Sequence, residues 1–162
     1  TFRVPSRGLI GSRSEMLTET RGTGIMHQQF DSYGPFAGEV VSRSRGALIA
    51  LESGEVTSYA LEGLQDRGQF MVSPGDPVYA GQVVGMHNRA DDLIINVVKR
   101  KNLTNHRATQ TADAVKLSRS TTLSLEQSIE YIEQDELLEV TPASLRIRKA
   151  TLDHNERKRL AK

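Results

Sequence analysis

The chain reads as an α+β protein, and three features carry that reading. Residues 37–98 hold short apolar runs cut by Gly- and Pro-bearing turns, the pattern of strands. Residues 124–162 return to apolar spacings of three and four behind hydroxyl and carboxylate caps, the pattern of helices. The composition, 37% hydrophobic and 25% charged over 162 residues, fits one soluble globular domain or one and a fraction. No Cys is present, which removes disulfides and thiolate metal sites. No apolar run nears the roughly 20 residues of a membrane helix. The net charge of +1 points to no partner, so local charge has to carry that question.

The elements follow in order. Phe2-Arg3-Val4-Pro5 looks like a strand leaving a core. With Thr1 in place of Met and no apolar signal segment, the chain reads as a piece cut from within a larger protein. Residues 1–30 are expected to form strand, helix, strand. Gly8-Leu9-Ile10-Gly11 opens the helix, Leu9, Met16 and Leu17 share one stripe, and Gly22 and Gly24 break it. Residues 31–36 form a link centred on Gly34-Pro35. Glu39-Val40-Val41-Ser42 is expected to pair with Ala47-Leu48-Ile49-Ala50-Leu51 across Arg45-Gly46. A short helix begins near Tyr59 and stops by Gly68. Strands follow at 69–72 and 82–84, and Leu93-Ile94-Ile95-Asn96-Val97-Val98 suits a buried strand. Ser124 and Gln127 make a capping box for a helix carrying Leu125, Ile129 and Ile132. Residues 137–141 and 145–149 form a hairpin across Pro142-Ala143-Ser144, and Asp153 caps a last helix. Residues 124–139 hold six acids and no base, and residues 145–162 hold seven bases and two acids. These read as two solvated faces that attract each other.

Several chemistries are absent from the sequence. There is no Gly-x-x-x-x-Gly-Lys loop to cradle a phosphate, and Gly22-Thr23-Gly24 lacks the third Gly of a dinucleotide site. His27, His87, His106 and His154 never fall at helical ligand spacing. Asp91-Asp92 and Asp135-Glu136 are adjacent pairs whose side chains diverge, which suits turns and caps better than acid–base work. Gly75-Asp76-Pro77-Val78-Tyr79-Ala80-Gly81 resembles the strand–turn–strand of biotinyl and lipoyl carrier domains. No Lys stands between residues 1 and 98 to be modified, so only a local barrel-like fold is implied.

Residues 99–119 carry six bases (Lys99, Arg100, Lys101, Arg107, Lys116, Arg119) against Asp113 alone, with Asn102, Thr104 and Asn105 among them. Cations neutralise phosphates and release counterions, while amides and hydroxyls donate to phosphate and 2′-OH oxygens. The segment therefore reads either as a nucleic-acid contact or as a solvated polar loop. It has no aromatic residue, so base stacking is not expected.

Val4-Pro5-Ser6-Arg7-Gly8-Leu9-Ile10-Gly11 and Leu17-Thr18-Glu19-Thr20-Arg21-Gly22-Thr23-Gly24 closely resemble the BipA/TypA family of translational GTPases. The likeness continues through Leu64-Gln65-Asp66-Arg67-Gly68, Leu103-Thr104-Asn105 and Glu139-Val140-Thr141-Pro142 and covers essentially the whole chain. It implies that residues 1–36 are the second half of a ferredoxin-like βαββαβ domain, similar to the fifth domain of elongation factor G. Residues 37–162 would be the family's own C-terminal domain, a small mixed β-barrel-like unit with peripheral helices.

The resemblance further implies a cytoplasmic, ribosome-associated factor of ribosome assembly and stress adaptation. Its loop, here residues 99–116, would meet ribosomal RNA and the acceptor arm of A-site tRNA. The expected RNA contacts are Lys99, Arg100, Lys101, Asn102, Thr104, Asn105, Arg107 and Lys116. The family's stretch is of a Cys-Lys-Gly-Lys-Lys type where this chain has Val98-Lys99-Arg100-Lys101-Asn102, so charge is kept while individual contacts differ. GTP and Mg belong to a domain upstream in the family. This piece is therefore expected to be non-catalytic, with no cofactor, small-molecule substrate or membrane partner. The alternative is a protein-interaction module using an acidic helix over 124–139.

Overall fold

A computed structural model of the chain describes residues 1–38, 43–101 and 117–160. Its centre is β1 (Ala47–Ala50), four apolar residues that are all buried. Successive strand side chains point to opposite faces. Leu48 and Ala50 therefore enter one core, with Val56, Leu61, Phe70, Val84, Ile95 and Val97, while Ala47 and Ile49 enter a second with Val83 and Ile147. A strand covered on both faces needs no polar alternation, which is why this run is continuously apolar.

Around β1 the order is β3-β5-β1-β6, where β3 is Gly68–Phe70, β5 Val83–His87 and β6 Leu93–Ile95. β1 runs antiparallel to β5 and parallel to β6. Both edges of β1 are thus occupied by strands other than the hairpin partner expected from the sequence, and residues 39–42 lie outside the described residues. Two glycines let the strands converge. A Cβ on Gly68 would strike the Met86 carbonyl, and one on Gly46 the Asp91 carbonyl.

β2 (Gly54–Glu55) pairs with β4 (Pro77–Val78) as a small ribbon. Between them α2 (Ser58–Leu64) buries Ala60 and Leu61, and Thr57 Oγ1 caps it by accepting from Ala60 N–H at 3.2 Å. The second core is closed by α3 (Leu125–Tyr131) and the hairpin of β7 (Glu136–Val140) and β8 (Leu145–Lys149). The expected capping box is present, with Ser124 and Gln127 exchanging both bonds. The last helix, α4 (His154–Leu160), begins behind Asp153, whose Oδ1 accepts from Glu156 N–H at 2.7 Å.

Two expected features do not appear among the described residues. The sheet is open, with β3 and β6 at its edges, and no closed barrel forms among the described residues. In residues 1–38 a 3-10 turn (Ser6–Leu9) and α1 (Ser12–Glu19) form, with no strand on either side. A strand needs a neighbour for its backbone groups, and the described residues offer these segments none. No half-ferredoxin sheet is therefore seen among the described residues. Phe2, Ile25, Phe30, Tyr33 and Phe36 stay exposed. α1 still ends as a local motif dictates. Gly22 N–H donates to Leu17 C=O at 2.7 Å and Arg21 N–H to Thr18 C=O at 3.2 Å, with Arg21 at φ 52°.

Candidate nucleic-acid interface

The basic segment leaves the sheet from a fixed base. Beyond β6, Val97 is buried and its carbonyl accepts from Thr57 N–H at 3.0 Å. Thr57 Oγ1 donates to the Lys99 carbonyl at 2.6 Å, so one residue caps α2 and pins the strand exit. From there Lys99, Arg100 and Lys101 are exposed and make no ion pair among the described residues. Asn102, Thr104, Asn105, Arg107 and Lys116 lie outside the described residues. The chain returns at Leu117, packed on the first core. Ser120 then meets Ser73 Oγ at 2.9 Å, and Thr121 N–H donates to Phe70 C=O at 2.8 Å. Both ends of the segment are thus tied to the sheet, which fixes where its cations enter solvent.

The charges of the C-terminal third behave differently from expectation. Lys149 is 2% exposed and its Nζ lies 2.5 Å from Asp92, 2.8 Å from Asp135 and 3.0 Å from Glu136. Arg43 clasps the fully buried Glu136 carboxylate with both terminal nitrogens, at 2.8 and 2.7 Å. Its guanidinium lies 4.3 Å from the Tyr131 ring centroid, a cation–π contact. This is a buried ion network, not a pair of solvated faces. Asp135 and Glu136 converge on one ammonium instead of diverging. Asp92 also accepts from Ala47 N–H at 2.7 Å and so ties the network to β1.

Burial alone would raise the Asp92 pKa, but Lys149, the Ala47 N–H and Arg43 outweigh it and hold it below the usual range. Burial would lower that of Lys149, yet its three carboxylates raise it. The hairpin expected from the sequence brings the ends of 137–141 and 145–149 together, but a three-residue turn over 142–144 would set Leu137 opposite Lys149; the observed register, with Val140 opposite Leu145, sets Glu136 there. Arg43 and Asp92, distant in sequence, left no such trace.

The expected acidic helix is also shorter than proposed. α3 ends at Tyr131, and residues 136–140 belong to β7. Four of its acids, Glu133, Asp135, Glu136 and Glu139, are held by Arg43, Lys149 or Arg148. Glu126 and Glu130 remain exposed outside these pairs. No group of His, Asp or Glu suited to a metal ion occurs among the described residues, and no described helix is long and apolar enough to cross a membrane.

Residues 45–154, which include the basic segment and all of the ion network but Arg43, match the family model of the TypA/BipA C-terminal domain. The chain belongs to the TypA/BipA family. The protein named large ribosomal subunit assembly factor BipA in Bacillus subtilis is 48% identical over 162 residues, 99% of this chain and 26% of the relative. Its namesake in Salmonella typhimurium is 48% identical over 159 residues, 98% of this chain and 26% of the relative. A chloroplastic TypA-like protein of Arabidopsis thaliana is 49% identical over 146 residues, 90% of this chain and 22% of the relative. The chain thus spans about a quarter of the length of these TypA/BipA relatives.

Proposed function

We propose that this chain is the ribosome-docking part of a TypA/BipA translational GTPase acting in large-subunit assembly. It holds RNA and performs no chemistry itself. The observation that carries the reading is the exposed, unpaired run Lys99-Arg100-Lys101, delivered by a pinned strand exit into a basic segment. The names of the relatives support the ribosome as partner. In this reading Lys99, Arg100, Lys101, Arg107 and Lys116 neutralise phosphates of ribosomal RNA and of the acceptor arm of A-site tRNA. Asn102, Thr104 and Asn105 position the backbone by neutral hydrogen bonds. Residues 1–36 belong with a neighbouring domain of the longer protein, and residues 37–162 form the docking domain. GTP and Mg are handled elsewhere in that protein, which works in the cytoplasm and in stress adaptation.

Co-sedimentation with large ribosomal subunits, before and after nuclease treatment, tests this. The chain is expected to pellet with intact subunits and to be released once the RNA is digested. Retention on the stripped proteins would instead support the protein-interaction reading.

A further inference from the structure

A second cationic surface lies at the opposite end of the sheet. β1 and β6 run parallel, so Lys99, Arg100 and Lys101 follow the C-terminal end of the pair, while Arg45 precedes the N-terminal end of β1. Main-chain bonds gather two further arginines beside Arg45. Arg89 C=O accepts from Gly46 N–H at 2.7 Å, and Arg67 C=O accepts from Asn88 N–H at 3.0 Å. Asn88 Nδ2 closes the corner by donating to Asp66 C=O at 3.1 Å. The side-chain-free Gly46 and Gly68 permit this approach, because a Cβ on either would strike backbone. Arg45 and Arg67 lie just before the two strands flanking β5, whose starts are on the order of 10 Å apart by strand spacing. Arg89 lies where β5 leaves the sheet.

All three arginines are exposed, and none is ion-paired among the described residues. That contrasts with Arg43, two residues from Arg45, which is consumed by Glu136. The carboxylates of Asp66 and Asp91 are exposed on the same rim and moderate its charge without pairing to it.

We propose that Arg45, Arg67 and Arg89 form a second phosphate-binding rim, so that the chain grips an RNA backbone at both ends of its sheet. The proposal rests on the RNA-docking reading above. Guanidinium forks match the paired oxygens of a phosphate, and three of them rising from one end of the sheet suit neighbouring phosphates of one strand. Phosphate contacts of this kind recognise backbone and shape and carry no base sequence. Two grips at opposite ends suit a large, folded RNA. They also turn the second contact into an intramolecular event, which raises avidity without tightening either site.

The test is a titration of the chain with an RNA duplex of about 20 base pairs, longer than the ~16 that a double-strand-binding domain spans. Binding is followed against salt for wild type, for R45Q/R67Q/R89Q and for K99A/R100A/K101A, with poly-glutamate as a second probe. The arginine variant is expected to bind more weakly, with a slope of log affinity on log salt lower by roughly 2 to 3 units. D66N/D91N, which leaves the arginines in place, is expected to bind more tightly. If the arginine variant keeps the wild-type slope while the lysine variant loses it, the rim is overturned and the docking reading stands. If wild type shows no salt-dependent RNA binding, both fall. If the arginine variant loses poly-glutamate but keeps RNA, the rim serves an acidic protein and the proposal is wrong. Unchanged or weaker binding by D66N/D91N also counts against it.

Discussion

Lys149 shows how one buried charge is made tolerable. Its ammonium is desolvated, and three carboxylates at 2.5 to 3.0 Å compensate. Removing one partner from such a set leaves the others uncompensated, which costs more than the set contributes. Lys149→Met is therefore expected to destabilise the chain by about 3–5 kcal/mol in urea unfolding, whereas exposed Lys158→Ala should change stability by no more than about 0.5 kcal/mol. The tyrosines give a pH signature. Burial pushes Tyr131 up to about 12, and burial with a hydrogen bond to Glu139 pushes Tyr79 up to about 12. A folded-state pKa raised above its unfolded value contributes stability that is complete below the unfolded value and lost as pH rises through the folded one. Stability should thus fall between pH 10 and about 12, with phenol ionisation seen by absorbance. For Asp92, held low, the sign reverses. Its contribution is present above the ordinary carboxylate value and lost as acid is added below it.

Elements were legible where local chemistry decides them. The capping box of α3, the Asp153 cap of α4, the helix after Thr57 and the presence of the hairpin all lie within a few residues of their cause, although the hairpin register is one residue from the expected one. Pairing across distance was not legible. β1 took β5 and β6 as neighbours, and nothing within residues 39–51 distinguishes these from the adjacent run. Leu125, Ile129 and Ile132 are spaced as one apolar stripe of an amphipathic helix. Instead Ser128 is buried, with Tyr131 and Ile132 partly covered, while Leu125 and Ile129 stay 47% and 43% exposed. The helix is only seven residues long, so its orientation follows what it rests on more than its own stripe. Of the expected RNA contacts, the structure describes Lys99, Arg100 and Lys101, and their exposure agrees with their composition. At the other extreme, neither the 3-10 turn nor α1 has an apolar residue in the core. Low burial means low local stability. Amide exchange in residues 12–19 should be far faster than in residues 47–50, and equal protection in a monomer would contradict the absence of pairing there.

The molecule as a whole is a two-core sheet with cations exposed at both ends and its strongest ionic interactions turned inward. That division explains how a chain of net charge +1 can present basic surface, since many of its acids are spent on internal pairs. No Gly-x-x-x-x-Gly-Lys sequence occurs in the 162 residues, so calorimetry is expected to find no saturable GTP binding at micromolar concentration. The most direct measurement is the salt dependence of binding to large ribosomal subunits for wild type, K99A/R100A/K101A and the control K158A/R159A. Lys158 and Arg159 are exposed, unlike Arg157, whose guanidinium holds the Thr151 and Leu152 carbonyls at 2.8 and 2.7 Å. The first variant is expected to bind more weakly with a slope lower by roughly 2 to 3 units, and the control to match wild type. A flattened slope in the control, with normal binding by K99A/R100A/K101A, would contradict docking through this segment.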